Sequence, residues 1–528
     1  MVWEKKKRKK KNYANRFSVI LSVALIVNMG LYWLPDFIFG IEIKKVDLLS
    51  DIRKSSEGSA NGVLAILTDD EDSYLSTTSD DSGISSTAYT SGNPATSPSA
   101  PPPLPLPGFT DEQPPRSSGH ATNDTIQDAF DRETNINQQN TSSKASGNDN
   151  NIDYLSNTQI EDFSSGHTGL SRFFAALNHV NNLGRPVRIA FLGDSFIEGD
   201  ILVADFRAKM QERFGGRGVG FIPITSNIAQ YRPTIKQSAD GWETYSIIKN
   251  KNMKYVLSGL LFEPESDKSS IRFQTVNMYP GLEEVSSIKF IYSNNKNSGL
   301  LLKSDTDTSY YELPPTESVT QYEIKGKFTK GSMHFRNTAG LKAIGVAFED
   351  NRGVVVDNFS LRSSSGIIMS ELDGESCREL QRIRPYDLIV MQYGLNVASD
   401  SIREYGWYRN QMVSVIEHMQ YCFPGADILI LGVSDRSHKN EGTYCTMPAV
   451  LSLLRAQRQI AKKTEVSFWS TFAAMGGQNS MVKYVNSQWA SKDYTHLNFR
   501  GGQEIARHLF DAIITEKKMY DDDERFVE

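Results

Sequence analysis

Val187-Arg188-Ile189-Ala190-Phe191-Leu192-Gly193-Asp194-Ser195 is the stretch on which the fold turns. Its first six residues read as a buried strand. Gly193 closes that strand, and the pattern over 201–214 predicts the next helix. A strand–turn–helix unit is how α/β folds carry a reactive group at the carboxyl end of a sheet. Ser195 in that turn would expose its hydroxyl, with backbone N–H groups of the following helix close by and Asp194 beside them. The rival reading is a tight turn in which Gly193 takes an unusual dihedral and Ser195 caps the helix.

The same alternation extends outward. Helical spacing covers 170–183 before the strand. Further along come a helix at 371–383, a strand at 387–391, a helix at 402–421 and a strand at 427–431. A helix at 449–462, a strand at 466–469 and a last helix at 498–516 complete the series. Between the two blocks the texture changes. Short β-rich runs such as 287–292 and 343–348 are separated by Gly, Asn, Asp and Ser clusters, which predicts a β-sandwich or jelly roll. The economical architecture is one discontinuous α/β domain, 161–230 and 357–519, interrupted by a β-sandwich at 231–356 and followed by an acidic tail at 520–528.

The N-terminal part is different. Lys5, Lys6, Lys7, Arg8, Lys9, Lys10, Lys11 and Arg16 crowd a basic tail at 1–16, opposed only by Glu4. An almost unbroken apolar run, 17–34 and extendable to 41, follows it and is long enough for a transmembrane helix. Positive charge before the span predicts a cytoplasmic N-terminus and export of the remainder. A cleaved signal peptide is the competing reading; the run is long for one, and no clear small-x-small site follows. Residues 42–160 read as a disordered linker, rich in Ser, Thr, Asp, Asn and Gly around a proline tract. The hydrophobic fraction of 39% fits so large an uncollapsed portion. The net charge is −6 although the N-terminus is basic, so the exported part is acidic and charge gives no support to nucleic-acid binding. Cys377, Cys422 and Cys445 show no paired metal spacing, and neither do His334, His418, His438 and His508.

Two other segments complete the candidate site. Asp493-Tyr494-Thr495-His496 precedes the last helix. In a loop, that spacing lets the carboxylate accept from one imidazole nitrogen while the other faces a serine. The bland alternative makes Asp493 a cap, but Asn498 serves equally well. Tyr393-Gly394-Leu395-Asn396 follows the strand at 387–391. An asparagine there can point its amide into the site as an oxyanion donor, or serve as an ordinary turn residue.

The order Gly193-Asp194-Ser195, Gly394-Leu395-Asn396, Asp493-Tyr494-Thr495-His496 resembles the SGNH/GDSL hydrolase family. The interrupted layout, with 193–200, 214–221 and 474–477, is similar to its peptidoglycan O-acetylesterase-like branch. Ile197 occupies the last position of a would-be Gly-x-Ser-x-Gly elbow, which argues against an α/β-hydrolase. The resemblance implies a flavodoxin-like three-layer α/β/α fold with a carbohydrate-binding-module-like insert. It implies metal-independent, cofactor-free hydrolysis of O-acyl, above all acetyl, groups on an envelope glycan. Carried over, Ser195 is the nucleophile, His496 the base and Asp493 its orienter, with Gly193, Asp194 and Gly394 supporting. Asn396 and Gly366 form the oxyanion hole, with Ser363 the alternative to Gly366. Val397 replaces the acidic residue that often follows the asparagine. Two rivals share these residues: acyl transfer to a sugar hydroxyl, and glycan binding on an inactive scaffold.

Overall fold

The structure, a computed structural model, describes residues 37–38, 41–42, 155–523 and 525. The basic tail, the apolar run 17–34 and most of the linker lie outside them. Phe37–Ile38 and Ile41–Glu42 pair as a short antiparallel ladder, so the helix expected to extend to 41 does not cover these residues. Among the described residues no helix is long and apolar enough to cross a membrane.

The α/β elements run in chain order β1 (Glu161–Asp162), α1 (Ser171–Asn178), β2 (Val187–Gly193), α2 (Val203–Phe214), β3 (Val354–Ser360), α3 (Gly374–Ile383) and β4 (Leu388–Gln392). They continue with α4 (Gly406–Cys422), β5 (Asp427–Gly432), α5 (Pro448–Thr464), β6 (Ser467–Ser470), α6 (Thr471–Ala474), α7 (Ser480–Asn486) and α8 (Phe499–Asp522). The sheet order is β3-β2-β4-β5-β6-β1, parallel except for β1. Leaving out the edge strand β1, this is the flavodoxin-like doubly wound order, whose switch point lies between β2 and β4. Helices α1, α2 and α8 pack together as one layer, and α3, α4 and α5 as the other. Every residue of β2, β4 and β5 is buried, as expected for parallel strands covered on both faces.

The insert is a sandwich of two antiparallel sheets. One contains Val285–Ser293 and Lys342–Glu349 as neighbours, joined by Thr320–Phe328, Leu260–Pro264 and Trp242–Ser246. The other orders Thr308–Glu312, Gly299–Ser304, Lys330–Arg336, Ser270–Gln274 and Lys236–Asp240. Their inner faces close on a core that includes Trp242, Phe290, Phe335 and Phe348. Trp242 is thus a core residue, and its indole N–H donates to Ser270 O at 3.1 Å. Tyr255 is buried in the α/β core instead, while Tyr310 is exposed.

Several expected boundaries move. Gly220–Ile222 already pairs with Lys342–Glu349, so the chain enters the sandwich ahead of 231. It leaves before 357, because β3 begins at Val354 and lies against β2 over its full length. Residues at the end of the expected linker pack on the α/β domain: Ile160 is buried, and the Trp469 indole donates to Thr158 O at 3.0 Å. Helix α1 stops at Asn178, short of 183. Helix α4 starts at Gly406, because a turn bonded from Ile402 N to Ser399 O occupies the residues before it. Helix α8 runs on to Asp522, into the expected tail. Lys517 there pairs with Asp521 at 2.6 Å and the Tyr520 ring packs on Phe174.

The sandwich is fixed to the α/β domain by buried charge. Glu349, at the end of a sandwich strand, is fully buried and accepts from Arg384 at 2.5 Å, Lys289 at 2.7 Å and Arg188 of β2 at 2.8 Å. Arg384 also reaches Asp357 of β3 at 2.9 Å, as does the Tyr386 hydroxyl at 2.7 Å. Burial raises the Glu349 carboxyl, but the three cations outweigh it and hold it well below the usual range.

Candidate active site

Strand β2 delivers Ser195 to the carboxyl edge of the sheet, beside the switch point. Gly193 is required there for space rather than for an unusual dihedral. A Cβ on it would sit 2.9 Å from the Gln392 carbonyl of β4 and from the Ile197 side chain. The chain then forms a short 3-10 turn at Glu198–Asp200, and α2 begins only at Val203. The helix thus starts two positions after the expected 201, and the turn stands between its N-terminus and Ser195. The turn is pinned instead by Asp200, which is buried and bonded to Arg207, Arg232, Thr234 and Asn358. Burial opposes its ionisation, but Arg207 and Arg232 prevail and its carboxyl is depressed. At the rim, Glu198 forms an ion pair with Arg362.

The loop before α8 supplies the other half. Asp493 Oδ1 accepts the backbone N–H of Thr495 at 2.9 Å and of His496 at 3.0 Å, which curls the loop tightly. Asp493 Oδ2 lies 2.7 Å from His496 Nδ1. His496 Nε2 lies 3.1 Å from Ser195 Oγ. Burial would raise the Asp493 carboxyl, but hydrogen bonds from the His496 ring and backbone lower it, so it stays a carboxylate. An imidazole held this way presents Nε2 to the hydroxyl with its tautomer fixed by the carboxylate. Asn498 caps α8, accepting from Arg500 N and Gly501 N, so Asp493 is free of capping duty.

Asn396 reaches the site, but both of its amide hydrogens are spent. Nδ2 donates to Asp194 Oδ2 at 2.8 Å and to Ser364 O at 2.9 Å. An oxyanion role would require one of these bonds to be released. Gly366 N–H is also engaged, to Ser364 Oγ at 3.1 Å, and Gly366 packs against the Tyr393 ring with φ +89°. The Ser195 and Ser363 backbone N–H groups have no acceptor among the described residues. Of the two positions considered beside Asn396, Ser363 therefore has the available donor. Gly394, at φ +122°, turns the chain out of β4 into the short helical turn Leu395–Val397 that bears Asn396.

Two supports escaped the sequence reading. Gln457 of α5 donates to Tyr393 O at 2.7 Å and accepts from Val433 N at 2.9 Å, tying together the ends of β4 and β5. Its signal was present: a polar residue in the apolar stripe of Val450, Leu453, Leu454, Ile460 and Ala461. The Asp194–Asn396–Ser364 clamp had no local signal at all. Among the described residues no group of acidic, His and Cys side chains is arranged to hold a metal ion. His334, His418, His438 and His508 have separate partners, Ser332, Leu372 O, Asp400 and Glu504.

Asp194 gives a pH-dependent handle. Burial raises its carboxyl to about 6, against the hydrogen bonds from Phe196 N–H and Asn396. A raised acid holds its proton more tightly in the folded state, so stability falls as pH rises from the unfolded value near 4 through about 6. Asp194→Asn cannot ionise. Any cost of the misplaced amide is constant, so the variant's melting temperature should rise relative to wild type between pH 4 and pH 7. A difference that stays flat across that range would place the carboxyl at its ordinary value.

No protein-family model matches the sequence, and no curated protein sequence is significantly similar to it. Among solved structures, one described as a peptidoglycan O-acetylesterase in action aligns at 19% identity with a TM-score of 0.56, covering 68% of this chain and 99% of its own. A salicylyl-acyltransferase from a tetracycline biosynthetic pathway aligns at 12% and TM-score 0.26, covering 56% and 96%. A family two carbohydrate esterase from Cellvibrio japonicus aligns at 11% and TM-score 0.23, covering 54% and 98%. The last two are too distant to add weight. This chain shares the fold of the peptidoglycan O-acetylesterase structure.

Proposed function

We propose that the protein is a serine esterase that removes O-acyl groups, foremost acetyl, from peptidoglycan or another envelope glycan. The observation that carries this reading is the relay Ser195 Oγ–His496 Nε2 and His496 Nδ1–Asp493 Oδ2, with spacings of 3.1 and 2.7 Å. Ser195 attacks the acyl carbonyl while His496 takes its proton. The tetrahedral oxyanion is met by the Ser195 and Ser363 N–H groups, and by Asn396 Nδ2 once it releases Asp194 or Ser364. His496 then protonates the departing sugar oxygen, leaving an acyl-enzyme. Water, deprotonated by His496, hydrolyses it and restores the serine. The fold shared with a peptidoglycan O-acetylesterase supports the choice of substrate. The basic tail and the apolar run 17–34 support a single-pass anchor with the catalytic domain exported.

The test is labelling of the full chain with a fluorophosphonate, with the modified residue mapped by mass spectrometry, beside acetate release from O-acetylated peptidoglycan. Ser195 should carry the label and acetate should appear. Labelling elsewhere, or none, would remove the nucleophile from this reading. Acetyl appearing on an added acceptor glycan rather than as free acetate would make the reaction a transfer.

A further inference from the structure

A small hairpin, Ser437–Asn440 and Thr443–Thr446, belongs to neither the sheet nor the sandwich. Residues 439–444 are exposed. A two-stranded hairpin of this size has little stability of its own, so its anchors decide what it does. On one side it holds the loop of the Asp–His pair. Ser437 N–H donates to Tyr494 O at 3.1 Å, and the Tyr444 ring lies flat on the Tyr494 ring, centroids 3.7 Å apart and planes 11° from parallel. On the other side it holds the Asn396 loop. His438 Nδ1 lies 2.7 Å from Asp400 Oδ1, and Arg436, just before the hairpin, donates to Leu395 O at 3.3 Å and Ala398 O at 3.5 Å. Its base is tied down by the reciprocal pair Thr446 N to Asn479 Oδ1 and Asn479 N to Thr446 Oγ1.

Tyr494 stands between Asp493 and His496 with φ +56°, a left-handed conformation unfavourable for a bulky residue. That conformation belongs to the curl that aims Asp493 at both backbone N–H groups and at the ring of His496. A strained turn persists when its surroundings over-determine it, and here Ser437 and the Tyr444 ring add to the loop's own bonds, Tyr494 N to Ser491 O at 3.1 Å and Ser491 N to His496 O at 2.8 Å.

We infer that the hairpin 437–446 braces the candidate active site, and that Tyr444 is a positioning residue acting on His496 through Tyr494. This rests on the esterase reading of the site. Nothing in the stack needs the Tyr444 hydroxyl, so the ring alone performs the role. Without it the turn can relax, and an ångström of drift at Nε2 is enough to break the approach to Ser195.

The experiment compares wild type, Tyr444→Ala and Tyr444→Phe, each as the full chain. With p-nitrophenyl acetate, too small to span a glycan subsite, Tyr444→Ala should lower kcat by roughly 10- to 100-fold at unchanged KM, and slow fluorophosphonate labelling by the same factor. Tyr444→Phe should restore both. The proton NMR signal of the His496 Nδ1–H, which needs no substrate, should be sharp in wild type and Tyr444→Phe and broadened in Tyr444→Ala. An unchanged signal in Tyr444→Ala overturns the inference whether or not the protein is active. So does a normal kcat on the small ester with a raised KM on glycan alone, which would make Tyr444 a sugar-stacking platform. Wild type that is inactive yet loses its signal on Tyr444→Ala would sink the esterase reading and leave the brace standing.

Discussion

Ser195→Ala is expected to reduce p-nitrophenyl acetate hydrolysis by about 10⁴- to 10⁶-fold, with no loss of folding. Removing the hydroxyl deletes the atom that forms the acyl-enzyme, which lies 3.1 Å from His496 Nε2. His496→Ala should be about as damaging, because an unassisted serine hydroxyl is a poor nucleophile. The double variant should be no worse than either single one, since the two act as a unit. Additive losses would mean that serine and histidine serve separate steps. Substitution of Ser195 leaves the clamp intact, because Asp194, Asn396 and Ser364 bond one another without its side chain. Circular dichroism and melting temperature should therefore match wild type. Wild-type turnover in Ser195→Ala would exclude a covalent route at this residue.

Glu349→Ala is expected to produce the largest loss of stability, about 3–5 kcal/mol, read as unfolding that starts at lower urea than in wild type. The carboxylate is the common acceptor for Arg188, Lys289 and Arg384. Its removal leaves only Asp357 to answer Arg384, and leaves Arg188 without a carboxylate partner among the described residues. These charges cannot be rehydrated without opening the seam between Arg188 of β2 and the sandwich strand Lys342–Glu349. Unfolding of the variant should begin there, with the sandwich melting separately from the α/β domain. A single transition at the wild-type midpoint would show that the seam contributes nothing net. Removing both charges of one pair for apolar residues is the milder perturbation, because it strands no ion. Rigidity at this seam has a functional side. The insert cannot swing freely over the site while β2, whose end carries Ser195, is bonded to it through Arg188.

Much of the site was legible in advance because its signals are local. The apolar run before Gly193 requires a strand covered on both faces, and a strand that ends in Gly-Asp-Ser has to present those residues at its carboxyl edge. Asp493 and His496 are three positions apart, so one turn suffices to join them. The sandwich followed from the spacing of short strands and turn residues, but its limits did not. Gly220–Ile222 and β3 each belong to a sheet whose other strands are far away in sequence. The same limit hid the 3-10 turn that separates Ser195 from α2: the pattern over 201–214 foresaw the helix to within two residues, but not the turn that Asp200 pins by binding Arg232 and Thr234.

The sequence by itself determined the layers and the three segments that meet at the candidate site, with Ser195, His496 and Asp493 among them, because periodicity and turn chemistry act over a few residues. Only the tertiary structure decided how those groups are used. It spends both hydrogens of Asn396 on Asp194 and Ser364, assigns Glu349 three cations, and lays Tyr444 over Tyr494. Such pairings depend on which distant strands and loops meet once the core has closed, and hydrogen-bond partners are chosen by that meeting rather than by their neighbours in the chain.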